Sequence, residues 1–233
     1  MDLLKCLFRE CLKLFRGQQV GRDVVKLVLT SFMTALTAVL AQVKFNVGPV
    51  PYTMQNMAVM LAGLLLPPKY ATASLALYLL LIALGLPLAS GFAGGLAVLL
   101  GFCGGYLAGF VIAAPLMSIL SRAYLKWRGV DLSCIKGRDV AVLLLLSLIS
   151  ALPIYVLGFL VFYHFAVPGT KIYSWSLSVG NWLGVSPTSR LLLLFTVSAL
   201  IFIPQDLFMD HLLAIAVARG IAKVLKARGL GID

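Results

Sequence analysis

Apolar residues run along this chain in blocks longer and more continuous than the one-sided stripes of soluble amphipathic helices. The blocks fall at about 27–44, 54–67, 70–88, 95–121, 139–165 and 204–225, with Lys, Arg, Gly and Pro collected between them. A helix needs roughly 20 apolar residues to cross a hydrocarbon core of about 30 Å. Backbone polar groups inside that core must be satisfied within the segment, which selects helices. The pattern therefore predicts an all-α fold, an integral membrane bundle of six transmembrane helices. The second block covers only about 21 Å at 1.5 Å per residue, so its neighbours must bury it or it must border a cavity. Pro67-Pro68-Lys69-Tyr70 reads as the tight turn into the third block.

The start of the last span is set by Pro204. Proline inside a helix removes a donor and clashes one turn back, but it fits a first turn. The span is expected to begin at Pro204. Leu191–Ile203 is then a separate short apolar helix dipping in from the outer side.

Composition agrees with this reading. Of 233 residues, 61% are hydrophobic and 12% charged, against about 25% charged in soluble domains. The net charge of +11 does not point to nucleic acid, because the positive residues lie between apolar blocks. Sixteen Lys and Arg fall in the first 26 residues, at Lys69, in 122–138 and in 219–228, and three (Lys44, Lys171, Arg190) fall in the alternate segments. This bias predicts both termini in the cytoplasm of a multi-pass cell-membrane protein.

The expected organisation is a basic amphipathic segment over 1–26, a membrane domain over 27–226 and a cytosolic tail over 227–233. In the first segment Lys5, Arg9, Lys13 and Arg16 share one helical face, suited to anionic membrane lipid. It does not read as a cleavable signal. Cys6, Cys11, Cys103 and Cys134 have no metal-ligand spacing, and a cytosolic setting disfavours disulfides.

Candidate chemistry gathers in three stretches. Phe202–Leu213 carries Asp206, Asp210 and His211, ionisable groups that are costly among apolar neighbours unless they face a cavity or a partner. Asp206 reads as a helix cap or as a ligand acceptor. Asn46–Pro68 places Tyr52, Thr53, Gln55 and Asn56 at the mouth of the second span, with Pro49 and Pro51 holding the loop extended. Gly85–Phe110 holds eight glycines, of which Gly101, Gly105 and Gly109 have helix-packing spacing. Gly91, Gly94 and Gly95 form a loop cluster without the Lys-Ser/Thr of a phosphate loop. Ser31 with Ala35, and Thr34 with Ala38, form small-residue pairs on the first span. No nucleophile–base pair, nucleotide loop or metal set is visible, and His164 and His211 lack ligand-like companions, so a binding module without catalysis or cofactor is expected. Two further readings remain. One is a proton-coupled transporter of a small organic acid or vitamin relaying through Asp206, Asp210 and His211. The other is a lipid-acting membrane enzyme with the two aspartates as acids.

The motifs "PVPYTMQNMAVMLAGLLLP", "LYLLLIALGLPLASG", "GGYLAGF" and "IPQD" occur in the order and spacing of the BioY family, the biotin-specific S components of energy-coupling factor (ECF) transporters. The resemblance runs from about Leu27 to Lys226. It implies a six-helix biotin-binding protein that opens outward and works with a transmembrane T component and two cytosolic ATPases. It assigns Gln55, Tyr106 and Asp206 to the ligand, and small residues such as Ser31 and Ala35 to the T component. Around these, Tyr52, Asn56 and Trp182 are expected to complete the site: the ureido group of biotin offers two N–H donors and one carbonyl, and aromatic faces suit its fused ring. Two positions depart from the family. Here the sequence reads Gly101-Phe102-Cys103-Gly104-Gly105-Tyr106 in place of Gly-Pro-Thr-Gly-Gly-Tyr, and Met209 stands where a lysine commonly follows the aspartate. Lys44, Lys171 and Arg190 are the outer cations left to meet a ligand carboxylate.

Overall fold

The computed structural model describes residues 19–45, 50–184 and 189–229, and these are almost wholly helical. Most of the basic segment expected over 1–26 lies outside the described residues, as do Pro49 and the last four residues. Helix α1, Gln19–Leu40, begins well before the expected 27, so the end of the basic segment is already part of the first helix. Past α1 the chain forms a two-residue strand, β1 (Lys44–Phe45), antiparallel to β2 (Tyr52–Thr53), with Lys44 opposite Thr53.

Helix α2, Gln55–Leu65, spans about 16 Å. Nine of its residues are buried (Gln55, Ala58, Val59, Met60, Leu61, Ala62, Gly63, Leu64 and Leu65), so neighbouring protein covers it nearly all round. Its end at extended Leu66 follows from the two prolines after it. Helix α3, Pro68–Ala83, has Pro68 in its first turn, where no backbone donor is needed. Thr34 Oγ1 of α1 donates to Ser74 O of α3 at 2.8 Å, which fixes the register between them.

The fourth block divides. A single-turn helix, α4 (Leu96–Leu99), precedes α5 (Gly104–Arg128), so the expected start at 95 is too early. The glycine-rich stretch supports a turn there instead of a continuous helix. Helix α6 is Gly137–Phe165, close to the expected bounds. The α5–α6 pair is close because glycine removes the bulk between them. A Cβ on Gly109 would lie 2.5 Å from Ile154 Cα, and one on Gly158 would run into the Tyr106 ring. A helix that the apolar pattern did not indicate, α7 (Lys171–Trp182), follows.

The last block also differs from expectation. Helix α8, Arg190–Ser198, stops at Ala199 (φ −130°, ψ −60°), and a 3₁₀ turn covers Leu200–Phe202. Helix α9, Ile203–Gln205, carries Pro204 in its first turn. A π-helical segment then spans Asp206–His211, and α10 runs Leu212–Ala227. The break falls where the proline demands it. The two pieces nevertheless form one interrupted helical run of 38 residues, not a separate dipping helix followed by a span. Among the described residues, four helical stretches are long and apolar enough to cross a membrane: Asp23–Leu40, Gly104–Arg128, Gly137–Phe165 and Arg190–Ala227. Gln55–Leu65 and Pro68–Ala83 are shorter apolar helices.

Candidate functional site

A cavity of about 340 Å³ opens at the end of the bundle where α1 and α3 finish and α2 and α5 begin. This volume falls within the roughly 300–1,000 Å³ of small-molecule sites. Its lining comes from the β2–α2 junction, the Ala89–Ala93 loop, α4, α5, the middle of α6 and the break before Asp206. Asp206 is the one charged residue in that lining among the described residues.

Asp206 is 3% exposed. Its Oδ2 accepts from Asn56 Nδ2 at 2.7 Å and from Tyr155 Oη at 2.6 Å. Two short donors from α2 and α6 hold the carboxylate in one orientation. They load one oxygen and leave Oδ1 as the acceptor not committed to either. The π-helical segment explains what lies beneath. Its i→i+5 bonding, visible where Leu212 N–H meets Leu207 O, sets position 211 one turn from 206. Asp210 and His211 are thereby turned inward at 0% exposure, while Phe208 and Met209 face outward at 66% and 45%. Ser147 Oγ lies 2.9 Å from His211 Nδ1. The Asp210 carboxyl lies against that of Asp206, and His211 Nε2 has no hydrogen-bond partner among the described residues.

Gln55 lines the same cavity, but both ends of its amide are engaged. Thr53 Oγ1 donates to Oε1 at 3.0 Å, and Nε2 donates to Tyr78 Oη at 2.8 Å. Tyr78 Oη donates in turn to Leu88 O at 3.1 Å. Gln55 thus ties α2 to α3 and to the rim loop. Tyr106 lines the cavity with its ring, and its hydroxyl donates to Ser198 O at 2.6 Å, a carbonyl that the end of α8 frees. Tyr52 does not line the cavity. It stacks on Phe202, which does, with centroids 4.2 Å apart. Trp182 is placed elsewhere: it ends α7 at 79% exposure, outside the lining, and cannot wall this cavity.

Four contributors escaped the sequence reading. Tyr155 and Phe202 sit in apolar runs that give no sign of a site. Gln42 holds the rim: its Nε2 donates to Ala89 O at 3.0 Å, and its Oε1 accepts from Phe92 N at 3.0 Å. Ser90 lines the cavity with a buried Oγ that has no partner among the described residues.

The three cations expected on the outer side separate clearly. Arg190 Nη2 donates to Tyr163 O at 3.2 Å and Ala166 O at 3.0 Å, with its guanidinium 4.5 Å from the Tyr163 ring centroid. Lys171 begins α7, outside the cavity lining. Lys44 is also outside the lining, but it lies on β1 opposite Thr53, a lining residue.

The fold and cavity define a multi-pass membrane protein that can take a small molecule between its helices. The family model described as the BioY family matches residues 15–227, and the chain belongs to that family. Its members are transporters and not enzymes. The chain is 37% identical over 136 residues to the biotin transporter BioY of Thermotoga maritima, covering 58% of this chain and 76% of that protein. It is 48% identical over 85 residues to the probable biotin transporter BioY of Pyrococcus horikoshii, covering 36% and 52%. The chain spans about half the length of the second of these. A crystal structure of the S-component for biotin from an ECF-type ABC transporter is similar, with a TM-score of 0.66 and 26% identity. That likeness covers 89% of this chain and 95% of the other.

Proposed function

We propose that this chain is the biotin-binding S component of an ECF-type importer. It resides in the cell membrane with six crossing helices and both termini in the cytoplasm, captures biotin from outside, and releases it inward with a T component and two cytosolic ATPases. The observation that carries the reading is Asp206, oriented by Asn56 and Tyr155 in a cavity of small-molecule size, in a chain whose relatives are named biotin transporters.

The chemistry fits. A ureido N–H donates to the open oxygen of Asp206, Asn56 meets a further polar atom of the ureido group, and the rings of Tyr106 and Phe202 flank the fused bicycle. An analogue lacking those N–H groups leaves a buried acceptor unpaired, at a cost of about 1–3 kcal/mol. Ser31 and Ala35, both exposed on α1, are the small residues available to the T component, whereas Thr34 is buried against α3.

The purified protein, without nucleotide or metal, is expected to give saturable heat with biotin in calorimetry. Absence of heat and of displaceable labelled biotin would remove the ligand from this reading. Uptake in cells is expected to survive a protonophore and to stop on ATP depletion. The opposite pattern would favour a proton relay through Asp206, Asp210 and His211.

A further inference from the structure

A ligand with a carboxylate tail needs a cation, and Asp206 is the cavity's own charged lining residue among those described. The helix that carries Asp206 offers none, since Met209 points outward at 45% exposure. Arg190 is held by two carbonyls and a tyrosine ring away from the cavity.

Lys44 has a different setting. Its strand partner Thr53 lines the cavity. Its ammonium reaches the rim loop at Gly91, where a Cβ would lie 2.8 Å from Nζ. Gly91 has φ +72°, a conformation glycine adopts without strain, so the same residue shapes the loop and leaves room for the lysine. Next to it, Ser90 lines the cavity with its unpartnered Oγ. Gln42, two residues before Lys44 in the chain, pins this loop to the end of α1 through Ala89 and Phe92.

We propose that Lys44, with Ser90 beside it, is the carboxylate-binding site at the mouth of the cavity, and that it sets the preference of this protein for an anionic ligand. This rests on the biotin reading. The ring system sits at Asp206, and the flexible acid tail extends toward the rim, where an exposed ammonium also steers the incoming anion.

The test compares biotin with biotinamide, whose tail is neutral, on the full-length protein in detergent. The wild type is expected to bind biotin at least tenfold more tightly than biotinamide. Lys44→Met should lose that preference: biotin weakens at least tenfold, and biotinamide stays within twofold. Lys44→Arg should keep the preference to within threefold. Because Lys44 is exposed, the melting temperature of both variants should match the wild type, which separates a lost contact from a lost fold. A Lys44→Met protein that keeps the wild-type ratio, or that weakens both ligands equally, overturns the assignment while leaving the biotin reading intact. A wild type that binds neither ligand overturns the biotin reading and the role of Lys44 with it.

Discussion

Asp206 and Asp210 show how the same side chain acquires different work from its surroundings. Both are buried, and only Asp206 borders the cavity and receives donors from Asn56 and Tyr155. Asp206→Asn keeps the shape and an acceptor for those donors but removes the charged oxygen offered to ligand N–H groups. Hydrogen bonds to charged groups are worth about 1.5–3 kcal/mol, and about 1.4 kcal/mol is tenfold in affinity. Biotin affinity in calorimetry is therefore expected to fall more than tenfold. Asp210 borders no cavity, and its carboxyl lies against that of Asp206 one turn earlier. Asp210→Asn is expected to leave affinity within twofold. It should hold or raise the melting temperature, since it removes one of two adjoining buried acids. A tenfold loss in the Asp210 variant would put the ligand deeper than the cavity observed.

Elements were legible where continuous apolar sequence defines them, and less so where tertiary contact decides. The bounds of α6 and the shortness of α2 follow from the run of apolar residues and from Pro67 and Pro68. Asp206, Gln55 and Asn56 stood out as polar groups in a greasy chain, and the family resemblance assigned Asp206, Gln55 and Tyr106 to the ligand. The π-helical segment could not be read, because it depends on packing that turns Asp210 and His211 inward. Tyr155 was hidden for a related reason: a tyrosine in an apolar helix looks the same whether it faces lipid, core or ligand. Trp182 shows the converse error, an exposed aromatic that walls no part of the cavity. The glycines divide in the same way and offer a test at this scale. A Cβ on Gly158 would meet the Tyr106 ring, whereas one on Gly220 of α10 meets nothing within 4 Å. Gly158→Ala must displace that ring and with it the bond to Ser198 O, and overpacking of this kind costs about 1–3 kcal/mol. It is expected to lower the melting temperature by several degrees and to weaken biotin. Gly220→Ala removes only chain entropy from the unfolded state, worth about 0.4–1 kcal/mol, and is expected to raise the melting temperature with affinity unchanged. Equal effects from the two would mean that α5 and α6 do not meet as closely as described.

For the whole molecule, the cavity occupies one end of the bundle, and α1 keeps an exposed flank. Lipid gains nothing from small side chains on a helix surface, and large residues fill most of this flank: Leu27, Val28, Phe32 and Val39 are all exposed. Ser31 and Ala35 interrupt it, one turn apart, with the Ser31 hydroxyl donating back to Leu27 O. The other small pair is divided from them by the helix period: Thr34 is buried and bonded to Ser74 O, which commits that side to the bundle. Small residues one turn apart on an exposed helix face allow another helix to approach closely. Filling that face with Ala35→Trp leaves α2, α5 and Asp206 untouched. The variant is expected to bind biotin as the wild type does, to lose co-purification with the T component, and to lose ATP-dependent uptake. A variant that still assembles and transports would show that this flank faces lipid, and the T component would then have to engage another surface of the bundle.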